Sequence, residues 1–377
     1  MELKYETIKE IKQQKKLWIE LLDSLSQKNG EIRDFLKSVH ANERKIIFTG
    51  AGTSEFVGNT LLPNVKDNFR SVATTDIVEN PETYLKKDDK IMLVSFARSG
   101  NSPESLAAVD LADQLVDDIA HFVITCSEEG ALSQNSKGKK KTYVWYTPKA
   151  SNDKGFAMTS SFTCMLLSGL YIFGNIDGSE LRTMIENTIK EIENQEINFE
   201  KYIKELIGLD IERIVYLGSG TLRALSEEAT LKCLELTGGK LNVFYNSPLS
   251  FRHGPKSIVN EKTLVINLMS NCDYTRKYEI DLIKQMHDEK SKKYLAALDV
   301  KHDKEIESNV VYYISFNNST LAGYPEIINA FIYIYFAQLF AYTKSESLGF
   351  NPDDPCPTGE VSRVVHGVKI YPYEKNK

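Results

Sequence analysis

Residues 45–55 read KIIFTGAGTSE, and residues 213–223 read RIVYLGSGTLR. Each stretch is a short apolar run that ends in Gly-x-Gly-Thr and leads into a helical pattern. A second pair matches as well, LVSFARS at 93–99 and LVINLMS at 264–270, so the copies lie 168 and 171 residues apart. A repeated strand–turn–helix unit with glycines in its turn indicates a duplicated α/β fold that binds phosphate at the turn.

The composition and charge of the chain exclude several classes of protein. With 377 residues, 42% of them hydrophobic and 26% charged, the chain is expected to be a soluble globular protein of two domains. Its net charge of −6 argues against a nucleic-acid surface. The basic run KGKKK at 137–141 predicts a solvated loop between two strands.

Signals for a membrane span, for secretion and for a metal site are missing from the sequence. No apolar stretch reaches the roughly 20 residues of a membrane span, and IINAFIYIYFAQLFAY at 327–342 predicts a buried helix. The N-terminus lacks the apolar core of a signal peptide. Five scattered cysteines without ligand spacing predict reduced thiols and no zinc. We therefore expect a cytoplasmic protein with no membrane or nucleic-acid partner and no metal or other cofactor.

The periodicity of apolar residues predicts an α/β fold of two tandem domains, each a mainly parallel sheet flanked by helices, after an N-terminal helical lead-in. The expected boundaries are 1–40 for the lead-in, 41–200 for the first domain, 206–350 for the second and 351–377 for an irregular tail. Strands are expected at 45–49, 71–75, 91–96, 121–126, 142–147, 213–217, 241–244, 263–268, 293–298 and 310–315. Helices are expected at 54–66, 103–117, 156–173, 222–237, 274–287 and 324–342.

Two further helical segments are expected outside these units. In the lead-in, Thr7 and Glu10 have the spacing of a capping box. The pair Asn29 and Gly30 predicts a break that divides the lead-in into two helices. The periodic Ile and Leu residues at 175–206 predict one long helix between the halves.

In the first half, two loops rich in glycine and hydroxyl side chains follow apolar strands. The first supplies Gly50, Gly52, Thr53 and Ser54, and the second, FARSGNSPES at 96–105, supplies Arg98, Ser99, Gly100, Asn101 and Ser102. Free amides at a helix N-terminus attract an anion, and the carboxyl ends of neighbouring parallel strands lie at one sheet edge. The pattern is neither a P-loop nor G-x-G-x-x-G. It suits a sugar phosphate, and the alternative is two ordinary turns capped by serine.

The second half carries a different set of polar residues. In SEEATLKCLELTGGK at 226–240, Glu228, Lys232 and Glu235 share one helix face, with Leu225, Leu231 and Leu234 available for the buried side. The alternative for the three charged residues is a solvated stripe. His253 precedes Gly254 and Pro255, which places it on a rigid turn, and histidine changes charge readily near neutral pH.

Taken together, these motifs resemble the sugar isomerase (SIS) superfamily, whose members bind phosphosugars on flavodoxin-like domains. The stretches ASNDKGFAMTSSF at 150–162, PLSFRHGP at 248–255 and RVVHGVKIYP at 363–372 are similar to the tagatose-6-phosphate ketose/aldose isomerase type, also described as galactosamine-6-phosphate deaminases. The resemblance runs from about residue 45 to the end of the chain. It implies two tandem SIS domains and a phosphosugar isomerase or deaminase that works without a cofactor.

The resemblance also implies roles for individual residues, with the isomerase half of glucosamine-6-phosphate synthase as the template. Ser54 matches its phosphate-binding serine, and residues 97–102 match its second phosphate loop, with departures at Ala97 and Arg98. Glu235 matches the proton-transferring glutamate, Lys232 its neighbouring lysine and His253 the ring-opening histidine. The phosphate-binding set is therefore Gly52, Thr53, Ser54, Arg98, Ser99, Gly100, Asn101 and Ser102.

Three further expectations follow from the same resemblance. In the template the histidine enters from the partner subunit, which implies a homodimer or a larger homo-oligomer. The template has a lysine in its tail, for which this chain offers His366 or Lys369. The second copy carries Thr221-Leu222 in place of Thr53-Ser54, so only the first half is expected to hold phosphate.

The expected reaction is acid–base catalysis through an enediol or enolamine. An amino sugar phosphate would lose ammonia, which makes galactosamine 6-phosphate to tagatose 6-phosphate the leading prediction. A neutral sugar phosphate would undergo plain aldose–ketose isomerisation. A third alternative is a sensor that binds a phosphosugar without chemistry.

Overall fold

The computed structural model describes residues 3–363, 365 and 367–374. These residues form two compact units. The first unit comprises 13–153, Met158–Gly178 and the described part of the tail from Thr358 onwards. The second unit comprises 3–12, Lys154–Ala157 and Ser179–Pro357.

The first unit contains a five-stranded parallel sheet in the order β2-β1-β3-β4-β5, which is the flavodoxin order. The strands are β1 (Lys45–Thr49), β2 (Phe69–Ser71), β3 (Lys90–Ala97), β4 (Asp118–Thr125) and β5 (Thr142–Tyr146). Seven of the eight residues of β3 are buried, as expected of a central parallel strand with helices on both faces. This explains the near-continuous apolar run in the sequence.

The helices of this part of the chain cover the sheet. They are α1 (Glu6–Ser38), α2 (Thr53–Leu61), α3 (Thr74–Glu79), α4 (Pro81–Tyr84), α5 (Pro103–Leu115), α6 (Ala131–Ser136) and α7 (Ser160–Phe173). Every residue of α7 is buried. The segment 137–141 is a loop that leads into β5, as its basic composition predicted.

The second unit repeats the same architecture. Its strands are β6 (Arg213–Leu217), β7 (Asn242–Asn246), β8 (Thr263–Leu268), β9 (Tyr294–Asp299) and β10 (Tyr312–Ser315). Their order, β7-β6-β8-β9-β10, is the flavodoxin order again. The helices are α8 (Gly178–Ile207), α9 (Thr221–Leu236), α10 (Pro248–Phe251), α11 (Asp273–Asp288), α12 (Lys304–Asn309), α13 (Ser319–Ala322) and α14 (Glu326–Ser347). The two sheets confirm the predicted fold class of tandem α/β domains.

Most expected elements are present close to their expected bounds. The long helix expected at 175–206 is α8, and the segment 327–342 is buried within α14. Over the described part of the chain, no helix has the length and apolarity that a membrane crossing requires. All five cysteines are free thiols, and the tail forms no helix or strand between 351 and 374 wherever it is described.

Two expectations for the lead-in are wrong. The segment is one helix, α1, that continues through Asn29 and Gly30. Burial of Leu25 and Ile32 on either side outweighs the roughly 1 kcal/mol that an interior glycine costs. The capping box is also absent, because Asp353 accepts from the amides of Glu6 and Thr7 at 2.8 Å each.

Glu10, the other member of the expected capping box, has a different partner. It accepts a hydrogen bond from the amide of Gly155 at 3.1 Å. The helix start is therefore capped by a residue distant in the sequence, and no local pattern could indicate it.

Strand pairing corrects the alignment of the second repeated pair by one residue. Lys45 pairs with Ile91 in the first sheet, and Arg213 pairs with Thr263 in the second. Because Lys45 and Arg213 are equivalent in the repeat, the third strands match at a spacing of 172 residues rather than 171. The difference matters because a shift of one residue exchanges the two faces of a strand.

Candidate active site

The two glycine- and serine-containing loops of the first unit line one cavity of about 120 Å³. The loops follow β1 and β3, which are neighbours in the sheet, so both lie at its carboxyl edge. This is the edge at which open α/β sheets bind ligands. The lining residues are Ala51, Ser54, Ala97, Arg98, Ser99, Gly100, Ser102, Ser105, Met158, Arg363 and Val365.

The first loop brings backbone close to the cavity. A Cβ atom added at Gly50 would lie 2.4 Å from the carbonyl carbon of Ser54, so only glycine fits there. Gly52 has φ 55° and immediately precedes α2, without any side-chain cap. The amides of Ser54 and Glu55 donate to the carbonyls of Ala51 and Gly52 at 3.2 and 2.8 Å, so the backbone itself closes this turn, and the Ser54 side chain adds a hydroxyl to the cavity.

The second loop is held by its own polar groups. The Ser99 Oγ accepts from the Asn101 amide at 3.3 Å, and the Asn101 Oδ1 accepts from the Ala131 amide at 2.9 Å. The Ser102 and Ser105 hydroxyls are 2.6 Å apart. Ser102 precedes α5 but makes no hydrogen bond to cap it. Ser102 therefore does not cap α5 as the alternative of two serine-capped turns expects, whereas Ser99 does cap its own turn.

Five of the eight residues predicted to bind phosphate line this cavity, namely Ser54, Arg98, Ser99, Gly100 and Ser102. Gly52, Thr53 and Asn101 lie in the same loops but outside the lining. Of these, Asn101 has a structural contact, since its carboxamide attaches the second loop to α6. The structure thus brings the two predicted loops together at one place.

A residue of the tail joins this cavity. Arg98 is only 7% exposed, and its guanidinium donates to the backbone carbonyl of Arg363 at 2.8 Å. The guanidinium of Arg363 in turn donates to the carbonyl of Asp153. The side chains of Arg98 and Arg363 therefore both line this small cavity, which favours an anionic ligand.

The segment around Asp153 is fixed by a buried carboxylate. Asp153 is fully buried and accepts from the amides of Thr159, Ser160 and Ser161 at 2.8–3.0 Å, at the start of α7. The hydroxyls of Thr159 and Ser161 also donate to this carboxylate, which brings its contacts to five. This arrangement holds the neighbouring Met158 in the cavity wall.

In the second unit, Glu228, Lys232 and Glu235 form one cluster on α9, as their spacing predicted. The Lys232 Nζ lies 2.7 Å from Glu235 Oε2 and 3.5 Å from Glu228 Oε1. The side chains of Glu228 and Lys232 are 0% exposed, whereas that of Glu235 is 24% exposed. The solvated-stripe alternative is therefore wrong. One carboxylate of the cluster is accessible, and a buried ammonium group orients it.

The apolar residues expected beneath this cluster are only partly buried. Leu225 is buried, but Leu231 and Leu234 are half-buried. The interior of α9 is thus occupied in part by the charged residues themselves. Burial of a lysine requires opposite charge nearby, which the two glutamates supply.

His253 lies in a turn of the second unit, between α10 and a short 3₁₀-helix at Pro255–Ile258, as predicted. Its side chain is exposed, and its amide donates to the carbonyl of Ser250 at 3.0 Å. The following Gly254 has φ 114°, a value that side chains rarely allow. The imidazole is therefore presented to solvent from a constrained turn.

Of the two tail candidates, His366 lies outside the described residues. Lys369 is exposed, and its ammonium lies 4.7 Å from the ring centre of Tyr371. Among residues 3–363, 365 and 367–374, no group of three His, Cys, Asp or Glu side chains could hold a metal ion.

Six lining residues are outside the predicted set, namely Ala51, Ala97, Ser105, Met158, Arg363 and Val365. Met158 and Arg363 belong to stretches that carried the family resemblance, but no pattern in those stretches places them at the phosphate loops. Ser105 lies one helical turn after Ser102, so its spacing was a usable signal.

Comparison with known proteins agrees with this geometry. The family model for the SIS domain matches residues 41–173. D-galactosamine-6-phosphate deaminase AgaS from Shewanella sp. (strain ANA-3) is 39% identical, over 98% of this chain and 92% of that protein. The chain belongs to the AgaS family. This confirms the predicted SIS resemblance along nearly the whole length.

Two solved structures are similar to this chain over nearly its whole length. A Clostridium novyi NT protein, provisionally described as a tagatose-6-phosphate ketose/aldose isomerase, has a TM-score of 0.93 and 42% identity, covering 98% of this chain and 95% of its own. The tagatose-6-phosphate ketose/aldose isomerase from Escherichia coli has a TM-score of 0.89 and 36% identity, covering 98% and 97%. The AgaS-family fold therefore extends over both units.

Proposed function

We propose that this chain is a phosphosugar isomerase/deaminase that converts D-galactosamine 6-phosphate to D-tagatose 6-phosphate and ammonia. The observation that carries the proposal is the near-full-length similarity to D-galactosamine-6-phosphate deaminases. The two residue clusters described above support it. One is suited to an anion, and the other presents an accessible carboxylate beside a buried ammonium group.

The first unit binds the phosphate in this proposal. The hydroxyls of Ser54 and Ser99 and the guanidinium of Arg98 donate to the phosphate oxygens, and the positive end of the α2 dipole favours the anion. These contacts are remote from the reacting carbons. Their binding energy is used to hold the sugar in position for proton transfer.

The second unit supplies the groups that move protons. His253 transfers a proton between the ring oxygen and O1, which opens the sugar. Glu235 then removes the C2 proton and returns it to C1, through an enolamine. Lys232 keeps the Glu235 carboxylate oriented and stabilises the negative charge that develops on oxygen.

Ammonia leaves in a hydrolytic step. The proton returned to C1 leaves an imine at C2, and water adds to that carbon. The carbon–nitrogen bond then breaks, so that one water is consumed, one ketose phosphate forms and one ammonia is released. With a hydroxyl at C2 the same residues would give only a ketose.

We further propose that the enzyme works in the cytoplasm as a homodimer or larger homo-oligomer. The exposure of His253 supports this, because the family template takes this histidine from the neighbouring subunit. Analytical ultracentrifugation tests the assembly. Mixed oligomers of Glu235→Gln and His253→Ala subunits test the sharing of residues.

A substrate panel tests the reaction itself. The protein is incubated with galactosamine 6-phosphate, glucosamine 6-phosphate and tagatose 6-phosphate, and ammonia and ketose are measured, with Glu235→Gln as the matched control. Equal amounts of ammonia and tagatose 6-phosphate from galactosamine 6-phosphate support the proposal. Ketose formation without ammonia would assign a plain isomerase, and saturable binding without turnover would assign a sensor.

A further inference from the structure

The second unit retains both loops that bind phosphate in the first unit. Gly220, which begins α9, has φ 54° and ψ −123°, close to the φ 55° and ψ −128° of Gly52 before α2. In the loop between β8 and α11, the Ser270 Oγ accepts from the Cys272 amide at 3.1 Å. Ser99 makes the same contact in the first unit. The backbone geometry of both loops is therefore repeated in the second unit.

A carboxylate of the chain itself lies between these loops. Glu279 extends from α11 and is 1% exposed. Its Oε1 accepts from the Ser219 hydroxyl at 2.8 Å, and its Oε2 accepts from the Ser270 amide at 2.9 Å. Ser219 follows β6 and Ser270 follows β8, so Glu279 joins the two loops as a bound oxyanion would.

Other groups around Glu279 complete an enclosed polar cluster. The Ser270 hydroxyl donates to Glu326 at the start of α14. The guanidinium of Arg276 donates to the Ser270 carbonyl at 2.9 Å and forms an ion pair with Asp299. These contacts fix the Ser270 loop around the carboxylate.

The matching region of the first unit has no such carboxylate. The buried side chains at 105–109 of α5 are Ser105, Ala107, Ala108 and Val109, and Val109 stands at the position of Glu279 when the two helices are counted from their first residues. There the space at the carboxyl edge is the cavity lined by Ser54, Ser99 and Arg98. The two units thus differ at this position, where α11 carries the fully buried acid Glu279 and α5 carries Val109.

We propose that the Glu279 carboxylate is a resident anion that occupies a second oxyanion site, at Ser219 and Ser270, and that its removal allows inorganic phosphate or a phosphate monoester to bind there. The comparison of the two units depends on the proposed function, because it assumes that the first unit binds phosphate. The evidence for the site in the second unit is the pair of hydrogen bonds that Glu279 accepts from Ser219 and Ser270. Burial raises the pKa of Glu279 to about 7, although the hydrogen bonds from Ser270 and Ser219 lower it, so the carboxylate is fully ionised only above neutral pH.

The test is hydrogen exchange measured by mass spectrometry on the full chain at about pH 8, where Glu279 is ionised. Glu279→Ala is compared with Glu279→Gln, which keeps the size and one acceptor. Both carry Ser54→Ala and Ser99→Ala, so that the first unit does not respond to phosphate. The peptides that are read cover 217–222 and 268–273.

In Glu279→Ala we expect exchange in these peptides to be about tenfold faster than in the parent chain, because a charge-assisted hydrogen bond is lost. Inorganic phosphate at roughly 50 mM should reverse most of this increase, whereas chloride of equal ionic strength should not. Adding Glu326→Gln should strengthen the response, since it removes a second acid that contacts Ser270. The parent chain should not respond.

Absence of protection by phosphate in Glu279→Ala, or equal protection in the parent chain, would overturn the proposal. If the alanine variant does not fold, its refolding yield with and without phosphate decides the question. Recovery that depends on phosphate supports the proposal, and equal failure overturns it. None of these outcomes depends on turnover, so they are separate from the fate of the proposed deaminase activity.

Discussion

Replacement of Lys232 by methionine tests the cluster on α9. The change removes the ammonium group that lies 2.7 Å from Glu235 and 3.5 Å from Glu228, and methionine fills a similar volume. Glu228 is fully buried, so it loses its ion pair with Lys232 where water cannot replace it. Loss of one partner of a buried ion pair costs about 3–5 kcal/mol, and we expect the free energy of unfolding to fall by that amount.

A second substitution separates stability from activity. Adding Glu228→Gln to Lys232→Met removes one of the two remaining negative charges, so we expect about half of the lost stability to return. Deamination should not recover, because the ammonium group that orients Glu235 is still missing. The control is Lys262→Met, which removes an exposed lysine 2.8 Å from Glu212 and should leave the unfolding midpoint unchanged.

The assay is urea unfolding followed by circular dichroism, with kcat and KM measured on the same preparations. A loss of less than about 1 kcal/mol for Lys232→Met would refute the buried-pair reasoning, because surface pairs lose that little. Recovery of activity together with stability in the double variant would refute the role of Lys232 in orienting Glu235.

Two further predictions concern the two oxyanion sites. The double substitution Ser54→Ala and Ser99→Ala should raise KM for galactosamine 6-phosphate about 100-fold, because it removes two hydrogen bonds to a charged group. Any turnover of unphosphorylated galactosamine should stay unchanged. An unaltered KM would place the phosphate elsewhere. Burial and the neighbouring Glu326 raise the pKa of Glu279 from 4.5 to about 7, against the opposing effect of Arg276. The stabilising contribution of Glu279 is therefore present below about pH 4.5 and is lost as the pH rises through 7. Relative to Glu279→Gln, the parent chain should therefore lose about 2–3 kcal/mol of stability between about pH 5 and 8 in urea titrations, and parallel profiles would contradict this pKa.

The sheets and main helices could be predicted because their patterns are local. Apolar runs such as 91–96 alternate with amphipathic stretches such as 103–117, and glycines follow the strands. The wrong predictions for α1 concern contacts between residues that are distant in the sequence. The continuity of α1 through Gly30 results from burial of its neighbours, and the start of α1 is capped by Asp353.

The candidate site was predictable only where its chemistry lies in a single motif. Ser54 and Ser99 belong to such motifs, and the structure places both in one cavity. Arg363 reaches that cavity from a tail without secondary structure, so no periodicity could indicate it. Glu279 did leave a signal, since it shares the apolar face of α11 with Leu282 and Ile283, where an acid needs a buried partner.

Solvent deuterium exchange in Glu235→Gln tests the central claim most directly, namely that the second unit moves the C2 proton of a phosphosugar. Galactosamine 6-phosphate is incubated in deuterium oxide, and incorporation at C1 and C2 is followed by NMR. The control is Glu227→Gln, whose carboxylate instead accepts a hydrogen bond from Tyr245. We predict that Glu235→Gln binds the sugar phosphate but exchanges hydrogen about 1,000-fold more slowly, while Glu227→Gln exchanges normally. Exchange at the parental rate in Glu235→Gln would contradict the account.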